Sequence, residues 1–165
     1  MIIIVTGTPG TGKTVISKKL AKAYNHKFID VKALLEKSTI CEGFDEQNEC
    51  LIIDPKKLAK MLIDLINKNN RLIIDSHLSH YIPQKYIDLC VVCKCEISEL
   101  KKRLKERGYK DKKIRDNLDA EIFDVCLTEA QEQYKHKILV VETSEGYKIS
   151  SIVKKINDET KHSSP

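Results

Sequence analysis

No stretch of this 165-residue chain approaches the roughly 18 consecutive apolar residues that a membrane span needs, so a helical membrane protein is excluded. No basic leader precedes the first apolar run, so no cleaved targeting peptide is expected, and the expected setting is intracellular and cytoplasmic. Internal repeats and a second domain signature are also missing. Arginine is scarce: Arg71, Arg103, Arg107 and Arg115 stand beside 25 lysines, a bias that would suit an AT-rich genome. Bidentate phosphate clamps are usually arginine, so the candidates for that role are few. Six cysteines do not make a disulfide scaffold in a chain of this length. Cys90 and Cys93 lie in an apolar run that reads as a buried strand, where alternation sends their side chains to opposite faces. They cannot share an ion there; they read as small hydrophobes, and no zinc is expected.

What is present is globular: 41% hydrophobic and 32% charged residues, enough for one domain with a single core. The net charge of +5 is unevenly spread. From Lys101 to Arg115 there are nine basic residues against two acids, whereas Glu42, Asp45, Glu46 and Glu49 form an acidic stretch without a base.

Residues 7–14 read GTPGTGKT, directly after the apolar run Ile2-Ile3-Ile4-Val5 and directly before an amphipathic stretch. This is the phosphate-loop pattern in its required context of strand, glycine turn and helix. Gly7, Gly10 and Gly12 permit backbone conformations in which successive N–H groups point inward at a phosphate, and the helix start adds its positive end. Lys13 can reach the outer phosphates as a point charge, and the Thr14 hydroxyl can ligate Mg²⁺. The motif implies binding of a nucleoside triphosphate, ATP being the expected cofactor.

Strands are expected near 2–6, 27–30, 71–75, 88–94 and 138–142, and helices near 13–24, 55–68, 96–107, 111–134 and 147–158. Asp54-Pro55 starts a helix, Gly108 ends one, and Ile114, Leu118, Ile122 and Val125 mark the core stripe of the next. Such alternation predicts an α/β three-layer sandwich, an approximately five-stranded parallel sheet with helices on both faces. Residues 1–158 form the expected single domain, with an acceptor-binding insertion at about 31–54, a short lid at about 106–116 and a flexible tail at 159–165. Both insertions can overhang the carboxyl edge of the sheet, where ligands bind.

Asp75 ends a buried strand beside the phosphate loop and can hold the Mg²⁺ shell through water. His77, two residues on, could orient a nucleophile, accept its proton or only hydrogen-bond Asp75. Arg103 and Arg107 share one helix face, and Arg107, just before Gly108, is best placed to fold over a triphosphate. Arg71 begins its strand, at the wrong edge for phosphate work. Lys101, Lys102 and Lys105 read as solvated charges.

The chain resembles the adenylate kinase isoenzyme 6 family, small archaeal and nuclear adenylate kinases that also act as ATPases in small-ribosomal-subunit maturation. The matching segments are GTPGTGKT at 7–14, EGFDEQNEC at 42–50, DSH at 75–77, RLKERGYKDKKIRDN at 103–117 and EIFDVCLTEAQEQY at 121–134. The resemblance implies a P-loop fold of nucleoside monophosphate kinase type, ATP contacts at Gly10, Gly12, Lys13, Thr14 and Val15, Asp75 and His77 as the family's D-x-H pair, and Arg107 as a lid residue on ATP. The family usually has an aromatic residue between that Asp and His and a glycine after the His; here Ser76 and Leu78 stand instead.

Three readings follow. The first is an adenylate kinase, ATP + AMP ⇌ 2 ADP with Mg²⁺, using Lys13, Asp75, His77 and Arg107. The second is a ribosome-assembly ATPase switch whose acidic insertion binds a basic ribosomal protein or an rRNA-bound surface. The third is a P-loop kinase of another small metabolite, disfavoured because such acceptors are anionic and the insertion is acidic.

Overall fold

Alternation along the first strand, β1 (Ile2–Thr6), divides the molecule into two cores. Ile2 and Ile4 face one side, Ile3 and Val5 the other, and all four are buried. The structure, a computed structural model, describes residues 1–38, 40–46, 50–135, 137–144 and 146–161. Glu49, of the acidic stretch, and residues 162–165, at the end of the expected tail, lie outside these.

After β1 come helix α1 (Lys13–Tyr24), strand β2 (Lys27–Asp30), helix α2 (Val31–Glu36), the strands β3 (Cys41–Asp45) and β4 (Cys50–Ile53), helix α3 (Pro55–Asn67) and strand β5 (Leu72–Asp75). The second half holds two 3₁₀ turns (Ser79–Tyr81 and Gln84–Tyr86), strand β6 (Leu89–Lys94), helices α4 (Ile97–Glu106), α5 (Asp111–Ile122) and α6 (Val125–Gln133), strand β7 (Ile138–Glu142) and helix α7 (Ile149–Lys161). The main sheet has the order β2-β5-β1-β6-β7, and every pair in it is parallel. This is the expected α/β three-layer arrangement. Among the described residues, no helix is long and apolar enough to cross a membrane.

One core joins Ile2, Ile4, Leu72, Ile74, Cys90 and Val92 to Leu58 and Leu62 of α3 and to Ala130 of α6. The other joins Ile3, Val5, Ile73, Val91 and Cys93 to Ile16 and Leu20 of α1 and to Ile152 and Ile156 of α7. Each fully buried Ile or Leu here contributes on the order of 1.5–3 kcal/mol by leaving water. Cys90 and Cys93 thus sit in opposite cores, as strand alternation requires. Burial holds the Cys90 thiol far above its ordinary value and pushes that of Cys93 up to about 12, so both remain neutral.

Three helix boundaries carry information about the site. At the start of α3, the Asp54 carboxylate accepts from the Lys56 N–H at 2.8 Å, with Pro55 in the first turn. At the end of α4, Gly108 takes φ +72°. Its N–H donates to the Lys105 carbonyl at 2.9 Å, and that of Tyr109 donates to the Leu104 carbonyl at 3.3 Å, a Schellman closure. Tyr109 then packs with Leu100, Leu104 and Ile114, so α4 and α5 form a hairpin with its own small core.

The third boundary corrects an expectation. The single helix expected over 111–134 is two, broken at Asp124, which takes φ +53°. Lys94 sits at the break: its ammonium donates to the Glu121 carbonyl at 3.0 Å and pairs with the Asp124 carboxylate, satisfying groups that the helix end leaves open. In consequence Ile122 and Val125, expected in the core stripe, are 55% and 38% exposed; only Ile114 and Leu118 of that stripe turn inward. The insertion after β2 is also more ordered than a plain flap. It consists of α2 and the antiparallel β3–β4 pair, with Ile40, Cys41, Leu51 and Ile53 packed on the main core. Helix α7 runs through Lys161, three residues beyond its expected end.

Candidate active site

The phosphate loop joins the carboxyl end of β1 to α1, between the neighbouring strands β5 and β6. Gly10 takes φ +96°, and a Cβ there would stand 2.7 Å from Leu100 and 2.9 Å from Leu104. Glycine is required twice over at this point, for the backbone conformation and for the close approach of α4. Gly12 is the residue before α1 and has φ +85°. Val15, in the first turn of α1, is 49% exposed.

The Lys13 ammonium donates to the Thr8 carbonyl at 3.0 Å, folded back along its own loop. Burial lowers its pKa; the Asp75 carboxylate opposes that shift, and the Arg107 guanidinium adds to it. That influence places the Arg107 charge within electrostatic reach of the loop, although Arg107 is exposed and caps α4.

Asp75 ends β5, in register with Val5 of β1, and is 5% exposed. The Thr14 hydroxyl donates to its Oδ2 at 2.5 Å. Burial raises the Asp75 pKa, against the pull of the Thr14 hydrogen bond and the Lys13 charge. One hydroxyl and one carboxylate in contact are the oxygen donors that suit a hard cation. Among the described residues, no three His, Cys, Asp or Glu side chains gather as a metal site, so a Mg²⁺ here would complete its shell with phosphate oxygens and water. Two residues beyond Asp75, His77 is exposed, and its carbonyl accepts from the Thr6 hydroxyl at 3.3 Å. Loop, Lys13, Thr14, Asp75 and His77 are thus brought together at the carboxyl edge of the sheet. Arg71 precedes β5 at the opposite edge.

The charges around this edge are arranged differently from their pattern in sequence. Glu42 of the acidic insertion is paired with Lys57 of α3 at 2.6 Å, so part of the acidity is neutralised internally. Lys101, Lys102 and Lys105 are exposed. Arg103 is committed to structure: its guanidinium binds Glu99 at 2.8 Å, the Thr143 carbonyl at 2.9 Å and the Ser144 carbonyl at 3.1 Å. The Thr143 hydroxyl in turn donates to the Thr11 carbonyl of the phosphate loop at 2.5 Å.

Sequence reasoning missed Thr143, Thr8 and above all Glu121, which is 4% exposed. The Thr8 hydroxyl donates to Glu121 Oε2 at 2.5 Å, and the Cys95 N–H donates to Oε1 at 2.9 Å. A signal existed: Glu121 follows Ile114 and Leu118 at helical spacing, a carboxylate on an apolar stripe.

Comparison with known proteins identifies the family and the fold. A family model described as an AAA domain matches residues 3–124. The "Putative adenylate kinase" of Methanocaldococcus jannaschii is 38% identical over 98% of this chain and 87% of its own. The "Adenylate kinase isoenzyme 6 homolog FAP7" of Saccharomyces cerevisiae is 41% identical over 84% of this chain and 70% of its own. The shikimate kinase from Bacteroides thetaiotaomicron superposes with a TM-score of 0.63 over 96% of each chain at 20% identity, a likeness of fold alone. With relatives this similar over most of its length and a phosphate loop in its working place, the chain belongs to the adenylate kinase isoenzyme 6 family of P-loop kinases.

Proposed function

We propose that the protein is an adenylate kinase that transfers the γ-phosphoryl group of ATP to AMP, giving two ADP. The observation that carries this reading is the contact of Thr14 with the buried Asp75 at 2.5 Å, with Lys13 within electrostatic reach of the same carboxylate. The loop amides and Lys13 would hold the β- and γ-phosphates, and Thr14 and Asp75 would hold Mg²⁺, Asp75 through water. A bound Mg²⁺ would neutralise charge on the phosphate oxygens as the transferring group loosens. An oxygen of the AMP phosphate attacks the γ-phosphorus, the bond to the bridging oxygen breaks, and that oxygen departs on ADP. Arg107, moving inward from the end of α4, would meet the charge on the transferring group. The β3–β4 pair and the α4–α5 hairpin would close over the site and exclude water. ATP contacts at Gly10, Gly12 and Val15 belong to the same proposal.

A second reading uses the same site with water as the acceptor, as an ATPase acting in small-ribosomal-subunit maturation. It rests on the family resemblance and on the exposed His77 at the end of β5, where an imidazole could orient a water. Its partner would be a basic ribosomal protein or an rRNA-bound surface. A coupled assay of ADP formation with and without AMP tests both readings. AMP-dependent ADP production carries the first; equal rates with and without AMP would overturn it in favour of the second.

A further inference from the structure

A buried carboxylate that meets only donors is there to hold them in place. Glu121 accepts from the Thr8 hydroxyl at 2.5 Å, from the Cys95 N–H at 2.9 Å and from the Lys94 ammonium at 3.3 Å. These groups come from two places, the phosphate loop and the junction of β6 with α4. Thr8 is the second residue of the phosphate loop, Lys94 ends β6, and Cys95 precedes Glu96, the cap of α4. The thiol of Cys126 meets the same Thr8 hydroxyl. On its other side, the Thr8 carbonyl receives the Lys13 ammonium at 3.0 Å and the Thr11 hydroxyl at 2.8 Å. One residue therefore separates Glu121 from the group that seats Lys13.

We infer that Glu121 is a positioning residue for phosphoryl transfer: through Thr8 it fixes the phosphate loop and the seat of Lys13, and through Cys95 it sets the loop's distance from the arginine-bearing helix α4. This rests on the kinase reading above. The chemistry of the site makes the inference specific. Glutamine fills the same volume but removes the charge and presents N–H to the Thr8 hydroxyl, so that bond loses its charge assistance and must reverse, with the hydroxyl accepting. Serine at position 8 keeps the hydroxyl donor, whereas valine keeps the shape and loses it.

The test compares Glu121→Gln, Thr8→Val, Thr8→Ser and the double variant Thr8→Val/Glu121→Gln in the full chain. Readouts are kcat and KM for ATP, the melting temperature without nucleotide, and amide hydrogen exchange over residues 7–14. A lost charge-assisted hydrogen bond predicts a ten- to hundredfold fall in kcat/KM for Glu121→Gln and for Thr8→Val, with faster exchange in the loop. Thr8→Ser should stay within about threefold of the parent, and the double variant should be no worse than the poorer single, because both lose one shared bond. Should Glu121→Gln fail to fold, the valine and serine variants interrogate the same bond from the loop side. Unchanged kcat/KM and exchange in Thr8→Val, or strictly additive losses in the double variant, would overturn the inference. Loop exchange is read without turnover, so it still decides the role of Glu121 if the parent proves to have no AMP-dependent activity, which would sink the kinase reading instead.

Discussion

The Thr14 hydroxyl donates to the Asp75 carboxylate at 2.5 Å across the carboxyl ends of β1 and β5. The pair joins the first turn of α1 to a strand 61 residues away and places two oxygen donors at the mouth of the phosphate loop. Parallel pairing of β1 with β5, in which Val5 stands opposite Asp75, makes the contact possible.

That carboxylate is held at a cost, which gives the first prediction. The Asp75 pKa is raised by burial, so its contribution to stability is fully present below the ordinary carboxylate range and is lost as pH rises through the folded-state value. At neutral pH the nucleotide-free protein should therefore gain stability on Asp75→Asn. Each kcal/mol recovered is read as a rise of roughly 2–4 °C in melting temperature at this chain length. The gain should vanish in acid, and phosphoryl transfer should be lost at every pH. A lower melting temperature for Asp75→Asn at pH 7 would show that the Thr14 and Lys13 contacts outweigh burial.

Lys13→Ala should abolish turnover and leave the fold intact. Its ammonium meets a carbonyl of its own loop, and burial already disfavours its charge, so little stability is lost with it. Losing a contact to the transferring phosphoryl costs about 3 kcal/mol or more, a fall in kcat of at least roughly 150-fold. Circular dichroism should match the parent while the coupled assay falls to that level.

Arg107→Lys should be nearly as damaging as Arg107→Ala, because a planar fork and not a point charge is what spans two phosphate oxygens. Lys101→Ala and Lys105→Ala, at exposed positions on α4, should change kcat/KM by less than about threefold. Losses in the lysine variants equal to those in the arginine variants would mark the basic segment as a diffuse electrostatic surface.

His77→Ala should separate the two proposed reactions. An AMP phosphate is already an oxygen nucleophile of low pKa and needs no base, whereas water needs orientation. AMP-independent ATP hydrolysis should fall by ten- to a hundredfold, within the range typical of lost general-base assistance, with AMP phosphorylation nearly unchanged. Equal losses in both assays would assign His77 to support of Asp75 and not to the nucleophile.

What the sequence by itself determined is what short-range pattern can carry. The phosphate loop is eight consecutive residues, so Lys13 and Thr14 were legible without a fold. The continuous apolar runs Ile2–Val5 and Leu89–Cys93 announced strands buried on both faces, and the period-two geometry of a strand sent Cys90 and Cys93 to opposite cores. Asp54-Pro55 and Gly108 marked helix ends because capping chemistry is local. Tertiary structure alone decided the rest. The Thr8–Glu121 bond spans 113 residues and the Thr143–Thr11 bond 132, distances at which no periodicity records a partner. At the break at Asp124, Lys94 reaches the Glu121 carbonyl and the Asp124 carboxylate from another strand, contacts that no local pattern records, although Ile122 to Cys126 are themselves weak helix formers. Arg103 and Arg107 share one face in sequence, yet the β7–α7 connection claims the first and leaves the second exposed at the end of α4. Which arginine is tied into the structure is settled by the acceptors that folding brings within reach, and the long-range ones are backbone carbonyls that every residue carries alike.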